Sequence, residues 1–164
     1  MEKATGTIPE ANYKALKTIT EKLKGHDIDW VLIGSTNLAL QGVDVEVHDI
    51  DLITDQQGGE RMAELLKEYI TKPFEYSEKG PFRSYYSILD IHGIKAEIIA
   101  EMQYKLRSGE WSDKSRVAEK KMIEYQGLEV PVWDLKKEYE DYNLMGREEK
   151  AQKIKEFMDE GIKT

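Results

Sequence analysis

A single mixed α/β domain, of the α+β kind, is what this sequence predicts, and three observations predict it. Helical patterns alternate with short apolar runs along the chain, which calls for a mixed sheet flanked by helices. Two pairs of these runs are closed by two-residue turns ending in glycine, His92-Gly93 and Gln126-Gly127, the mark of antiparallel hairpins. No repeat, low-complexity tract or long linker divides the 164 residues. The expected organisation is one domain over residues 1–164, with a core over about 10–132 and C-terminal helices over about 134–160.

Composition narrows the class of function. Hydrophobic residues make up 40% and charged residues 34%, an ordinary balance for a chain with a real core and a well-solvated surface. No apolar run approaches the ~20 residues of a membrane span, and charged Met1-Glu2-Lys3 opens no signal peptide. The absence of Cys removes disulfides and thiolate sites and fits the reducing cytoplasm, the expected location. A net charge of −8 disfavours long nucleic acid as a partner, because phosphate backbones are gathered by excess positive charge.

In chain order, Thr7-Ile8-Pro9-Glu10 has capping-box spacing, and Tyr13, Leu16, Ile19 and Leu23 then share one helical face. Gly25 stops that helix, and His26 reads as a solvated turn residue. Trp30 to Ile33 is an apolar, β-branched run expected to form a buried strand. Gly34-Ser35 breaks it, Ser35 to Leu40 reads as a short helix, and Gly42 ends that helix. Val47 to Thr54 is a second strand. Gln57-Gly58-Gly59 reads as a strand-to-helix turn, Met62, Leu65, Leu66 and Tyr69 mark a helix, and Lys72-Pro73 ends it. Phe82–Ile91 and Ile94–Ile99 form the first hairpin, pairing Ile91 with Ile94, Asp90 with Lys95 and Ile88 with Glu97. Asp90 and Lys95 would then form a cross-strand charge pair. A helical turn is expected near Met102 to Leu106, a second hairpin over Lys121–Tyr125 and Leu128–Val132, a helix from an Asp134 cap to Leu144, and a last helix from Glu148 to Met158.

The stretch with chemistry in it is residues 30 to 54, WVLIGSTNLALQGVDVEVHDIDLIT. In a regular strand Asp49 and Asp51 project to one face, with His48, Ile50 and Leu52 turned into the core. Like charges about 7 Å apart on an apolar strand call for a cation, and a hard divalent ion such as Mg²⁺ suits carboxylate oxygens. Taken alone, the two aspartates read first as a solvated face at a sheet edge. The Gly34-Ser35 turn before a helix offers free N–H groups to an anion. Glu97 puts a third acid on a neighbouring strand.

Gly34-Ser35, a short helix, then Asp49-x-Asp51 on an apolar strand resembles the nucleotidyltransferase superfamily, the polymerase-beta-like group, and most of all its small stand-alone members. The resemblance runs from about Lys14 to Phe157 and includes the segment from Asp141 to Lys150. It implies a nucleotidyltransferase-like fold with a C-terminal helical segment. It also implies a metal triad of Asp49, Asp51 and Glu97, two Mg²⁺ ions, and a nucleoside triphosphate, ATP among them, as co-substrate. Gly34 and Ser35 would hold its phosphates. Arg83, Lys95, Arg147 and Lys150 are candidate triphosphate cations, with Arg147 and Lys150, three apart at a helix start, the better pair. The implied activity is transfer of a nucleoside monophosphate to an unidentified small-molecule or protein acceptor. Many members carry Arg and Thr or Ser just before Asp-x-Asp; this chain has Glu46 and His48 there, and Glu in place of the usual third Asp. A degenerate binding module acting through a protein partner, as in toxin–antitoxin pairs, and a metal-dependent phosphohydrolase are the other readings.

Overall fold

Eight strands and five α-helices, counted among the described residues, are arranged as β1 (Glu2–Lys3), α1 (Glu10–Leu23), β2 (Trp30–Ile33), α2 (Gly34–Leu40), β3 (Ile50–Thr54), α3 (Gln56–Leu65), β4 (Ile70–Lys79), β5 (Phe82–Ile91), β6 (Ile94–Tyr104), β7 (Lys120–Tyr125), β8 (Leu128–Trp133), α4 (Leu135–Leu144) and α5 (Glu148–Lys163). The structure is a computed structural model and describes residues 1–117 and 119–163. All strands join one sheet in the order β1-β7-β8-β2-β3-β6-β5-β4. Its centre is mixed: β2 runs antiparallel to β3 and parallel to β8, and β3 runs parallel to β6. This is the mixed α+β architecture that the alternation of elements predicts.

Strand alternation sorts the sheet into two faces. Leu32, Ile50, Leu52, Ala96 and Ile98 face α1 and α3, whose Leu16, Ile19 and Met62 complete the main core. Val31, Ile53, Ile99 and Trp133 face the other way into a smaller cluster. Asp51 and Glu97 share that second face, two residues from Ile53 and Ile99. α2, α4 and α5 close a third cluster of Leu38, Val43, Leu135, Tyr142, Ala151 and Ile154.

Several elements form as expected. Both hairpins turn through left-handed pairs, His92 (φ 55°) with Gly93 (φ 88°) and Gln126 (φ 47°) with Gly127 (φ 85°), as a primed turn requires. The β5–β6 register pairs Ile91 with Ile94, Asp90 with Lys95 and Ile88 with Glu97. Asp134 caps α4 by accepting from Lys136 N–H at 3.0 Å.

Other expectations are corrected. The Thr7 capping box does not form; α1 starts after Pro9 with no side-chain cap. β3 starts at Ile50, not Val47, because the backbone before it is held by side chains: His48 N–H donates to Ser35 Oγ at 3.0 Å and Thr36 Oγ1 donates to the Asp49 carbonyl at 2.9 Å. His48 consequently points to solvent beside Glu46, 3.8 Å away, and not into the core. Gln57-Gly58-Gly59 is not a turn before the helix but part of it: α3 starts at Gln56 after an Asp55 cap that accepts from Gly58 N–H, and it ends at Leu65, while Lys72-Pro73 lies inside β4. Proline is tolerated there because β4 is the edge strand and its register shifts between Lys72 and Glu75, so no ladder bond is lost. The expected helical turn at 102–106 is instead the end of β6, whose alternation is masked by a positive φ of 54° at Glu101. Finally, Asp90 and Lys95 face each other but do not ion-pair. Asp90 Oδ1 accepts from Gly93 N–H at 2.8 Å, and Lys95 turns to other carboxylates.

No helix among the described residues is long and apolar enough to cross a membrane.

Candidate active site

β3 and β6 run parallel with Asp51 directly opposite Glu97, so the two carboxylates project side by side from one face. Asp49 sits one residue ahead of β3, its backbone fixed by the Thr36 hydroxyl. The α2 start closes the other side. Gly34 has φ +80°, and a Cβ built on it would lie 2.6 Å from Asp51 Oδ2. Gly34→Ala is therefore expected to cost roughly 1–3 kcal/mol, from the left-handed backbone and the clash, and to push Asp51 out of place. Denaturant melts and activity of this variant check both.

The electrostatics follow from crowding. Burial, then the charges of Glu97 and Asp49, push the Asp51 carboxyl up to about 7. Hydrogen bonding to Glu97 adds to the rise, and Lys95 opposes it. Lys95 places its ammonium 3.1 Å from Glu97 Oε1 and 3.8 Å from Asp49 Oδ2. That contact raises the Lys95 pKa and keeps it charged. Tyr86 of β5 is half-buried on this face, where burial and then Glu97 raise its phenol. The three expected acids thus lie together. Among the described residues no group of three or more His, Cys, Asp or Glu side chains is arranged to hold a metal ion. An all-oxygen donor set that draws a proton onto Asp51 and an ammonium onto Glu97 and Asp49 is still one that suits a hard cation.

The phosphate turn differs from expectation. Gly34 N–H is taken: it donates to Glu138 Oε2 at 2.8 Å, and Asn37 Nδ2 donates to the same oxygen at 2.8 Å. Glu138 comes from α4 and is 2% exposed. Burial raises its carboxyl to about 8, against the lowering effect of the Asn37 and Gly34 bonds. Asn37 is held in turn by Gln41 and by the Trp133 carbonyl. Ser35 is buried, and its hydroxyl oxygen accepts from His48 N–H while its hydrogen stays available to donate. Sequence reasoning missed Glu138. It is 104 positions from Gly34, on a helix whose pattern carries no local sign of it.

Arg147 and Lys150 are exposed at the start of α5. Among the described residues neither ion-pairs with the three acids. Lys150 Nζ lies 5.4 Å from the Tyr142 ring centre. Arg83 is stacked on Trp111 at 4.2 Å and donates to Gln103 at 2.9 Å. Further along the carboxylate face, Met102 packs with Ile99. There a cavity of about 620 Å³ opens between the end of β6, α4 and residues 105–117. Tyr104 donates to Asp141 Oδ2 at 2.7 Å in its wall.

The chain matches the family model of aminoglycoside-2''-adenylyltransferase over residues 15–158. It is similar to TM1012 from Thermotoga maritima, a solved structure assigned provisionally as a nucleotidyltransferase. The two share 34% identity over 95% of this chain and 98% of that one, with a TM-score of 0.81. The lincosamide antibiotic adenylyltransferase LnuA, solved with lincomycin bound, shares the fold at a TM-score of 0.54 and 11% identity, over 92% of this chain and 98% of that one. No curated protein matches the sequence.

Proposed function

The chain belongs to the aminoglycoside-2''-adenylyltransferase family, and on that premise we propose that it moves a nucleoside monophosphate from a nucleoside triphosphate to a hydroxyl of a small acceptor. The observation that carries this is the facing pair of Asp51 and Glu97 on adjacent parallel strands, pressed against the Gly34 turn. Asp49 and Asp51 would hold the nucleotide-associated Mg²⁺, with Glu97 completing the acidic set. When bound, the ion would polarise the α-phosphate and offset charge on the leaving pyrophosphate.

The protein's own share is positioning and proton handling. Glu97, on the open side of Asp51, accepts the acceptor hydroxyl's proton. The hydroxyl oxygen bonds to the α-phosphorus, and the bond from that phosphorus to the bridging oxygen breaks, releasing pyrophosphate. Gly34 gives no N–H to the triphosphate while Glu138 holds it. The Ser35 hydroxyl and the backbone after it are the remaining donors of the turn, and Arg147 and Lys150, exposed at the start of α5, are the cations proposed to reach the triphosphate. The cavity beside β6, about 620 Å³, is of small-molecule size, and none of the three acids lines it. The net charge of −8 argues against a long nucleic-acid acceptor.

One observation favours a second reading, a binding module that works through a protein partner: the expected phosphate donor Gly34 is occupied by the chain's own carboxylate. Calorimetric titration of each nucleoside triphosphate, with and without Mg²⁺, separates the two. Mg²⁺-dependent binding is expected. Absence of binding for every nucleotide, with or without the ion, sinks the enzyme and leaves the module.

A further inference from the structure

Four basic residues were candidates to meet the triphosphate, and the structure brings one of them onto the acids. Arg83 is engaged by Trp111 and Gln103, Lys150 lies over Tyr142, and Arg147 is exposed. Lys95 alone, among the described residues, ion-pairs with the candidate metal ligands, 3.1 Å from Glu97 Oε1 and 3.8 Å from Asp49 Oδ2. Resting on the transferase reading above, we infer that Lys95 takes the place of the second metal ion, so that the site loads one divalent cation and not two.

Position, exclusion and charge each favour Lys95 in that place. The first is position. Lys95 and Glu97 are two apart on β6 and share a face, so the ammonium reaches its partners without any backbone change. Tethering makes it a cation of high effective concentration at that spot. The second is exclusion. A divalent ion on Glu97 would sit about 2.0–2.1 Å from a carboxylate oxygen, next to an ammonium already 3.1 Å from Oε1. Two cations that close repel strongly, so one of them leaves. The third is charge. Asp49, Asp51 and Glu97 carry three negative charges when all are ionised. Lys95 answers one, and a single divalent ion answers the remaining two. A second divalent ion beside Lys95 would leave the cluster net positive before nucleotide arrives.

The consequence for the chemistry concerns the acceptor side. The ammonium of Lys95 faces the attacking oxygen and steadies its developing negative charge, while Glu97 takes the proton. The bonds made and broken are those given above, with pyrophosphate leaving. Lys95 is therefore placed as a catalytic residue, with a lysine doing what a metal ion does in a two-ion site.

Counting bound Mn²⁺ by electron paramagnetic resonance, with a non-hydrolysable ATP analogue present, tests the inference without relying on turnover. One ion per chain is expected for the full chain and for Lys95→Arg, and two for Lys95→Met, which keeps the stem and drops the charge. The half-exposed side chain leaves all three forms expected to fold, and circular dichroism checks this. Two ions in the unaltered chain overturn the inference and leave the transferase reading intact. One ion in both the unaltered chain and Lys95→Met overturns it equally. No bound ion in any form overturns the transferase reading along with it.

Discussion

Asp51→Asn is expected to lower nucleotidyl transfer by on the order of 10³-fold or more, with the fold retained. Asp51 is the middle acid: it faces Glu97 across the parallel pair and lies against Gly34. Every arrangement of a cation here uses it. Asparagine keeps the shape and one acceptor oxygen but cannot supply the charge. Stability should move the other way. With the ion absent, Asp51 is a buried acid beside two others, and its ionisation works against folding. The Asp51→Asn variant should therefore equal or exceed the unaltered chain in stability at pH 8, and Mg²⁺ should raise the melting temperature of the unaltered chain only. A variant that keeps full transfer activity would remove Asp51 from the site. A variant that unfolds would show that the carboxylate is structural.

The second large effect is a fall in stability of the metal-free chain as pH rises from about 4 to about 8. Asp51 and Glu138 have folded-state values of about 7 and about 8, above ordinary values of 3.8 and 4.5. The folded chain thus keeps protons that the unfolded chain has already released across that window. More protons bound in the folded state means stability declines with pH, fully present below the ordinary values and lost once pH passes the raised ones. The total is a few kcal/mol, on the order of one per pH unit for each group as an upper bound. Glu138→Gln should flatten the part between about 5 and 8, because the amide oxygen still accepts from Gly34 and Asn37 without ionising. Glu138→Ala should cost roughly 2–4 kcal/mol near pH 4, since it empties a buried position and leaves the Gly34 N–H unmatched, and less as pH rises toward 8, because it also removes the ionisation that weakens the unaltered chain. Urea melts across pH 4 to 9 decide this. A profile that climbs between pH 5 and 8 would contradict it.

The difference between Asp51 and Glu138 shows how the site is built. Asp51 could be placed from its neighbours: Asp49-x-Asp51 on an apolar run has a short spacing that reports a shared direction. Glu97 could be placed because the His92-Gly93 turn sets the β5–β6 register, and hence which residues of β6 share a face. Hairpin turns and strand alternation act over a few residues, so a linear reading captures them. Glu138 has no such signal. Its role depends on α4 returning to the α2 start, through the packing of Leu38 and Val43 against Leu135 and Tyr142. The same limit applies to Lys95. Its cross-strand neighbour is Asp90, yet its charge goes to Glu97 and Asp49.

The amino-acid sequence by itself determined the mixed sheet, both primed-turn hairpins, the Asp49-x-Asp51 pair at the start of β3 and the third acid of β6. These follow from periodicity and turn chemistry, which are local. It also carried the likeness that led to the family. Only the tertiary structure decided that Pro73 lies in an edge strand and that Ser35 and Thr36 hold the backbone before Ile50. It alone assigned the Gly34 N–H to a carboxylate of α4, and Lys95 to the acids. Each of these depends on how the fold brings segments together, and its outcome depends on which groups remain unpaired once the core has closed. Polar atoms near a buried face take whatever partner the packing brings within reach, and no spacing along the chain encodes that choice.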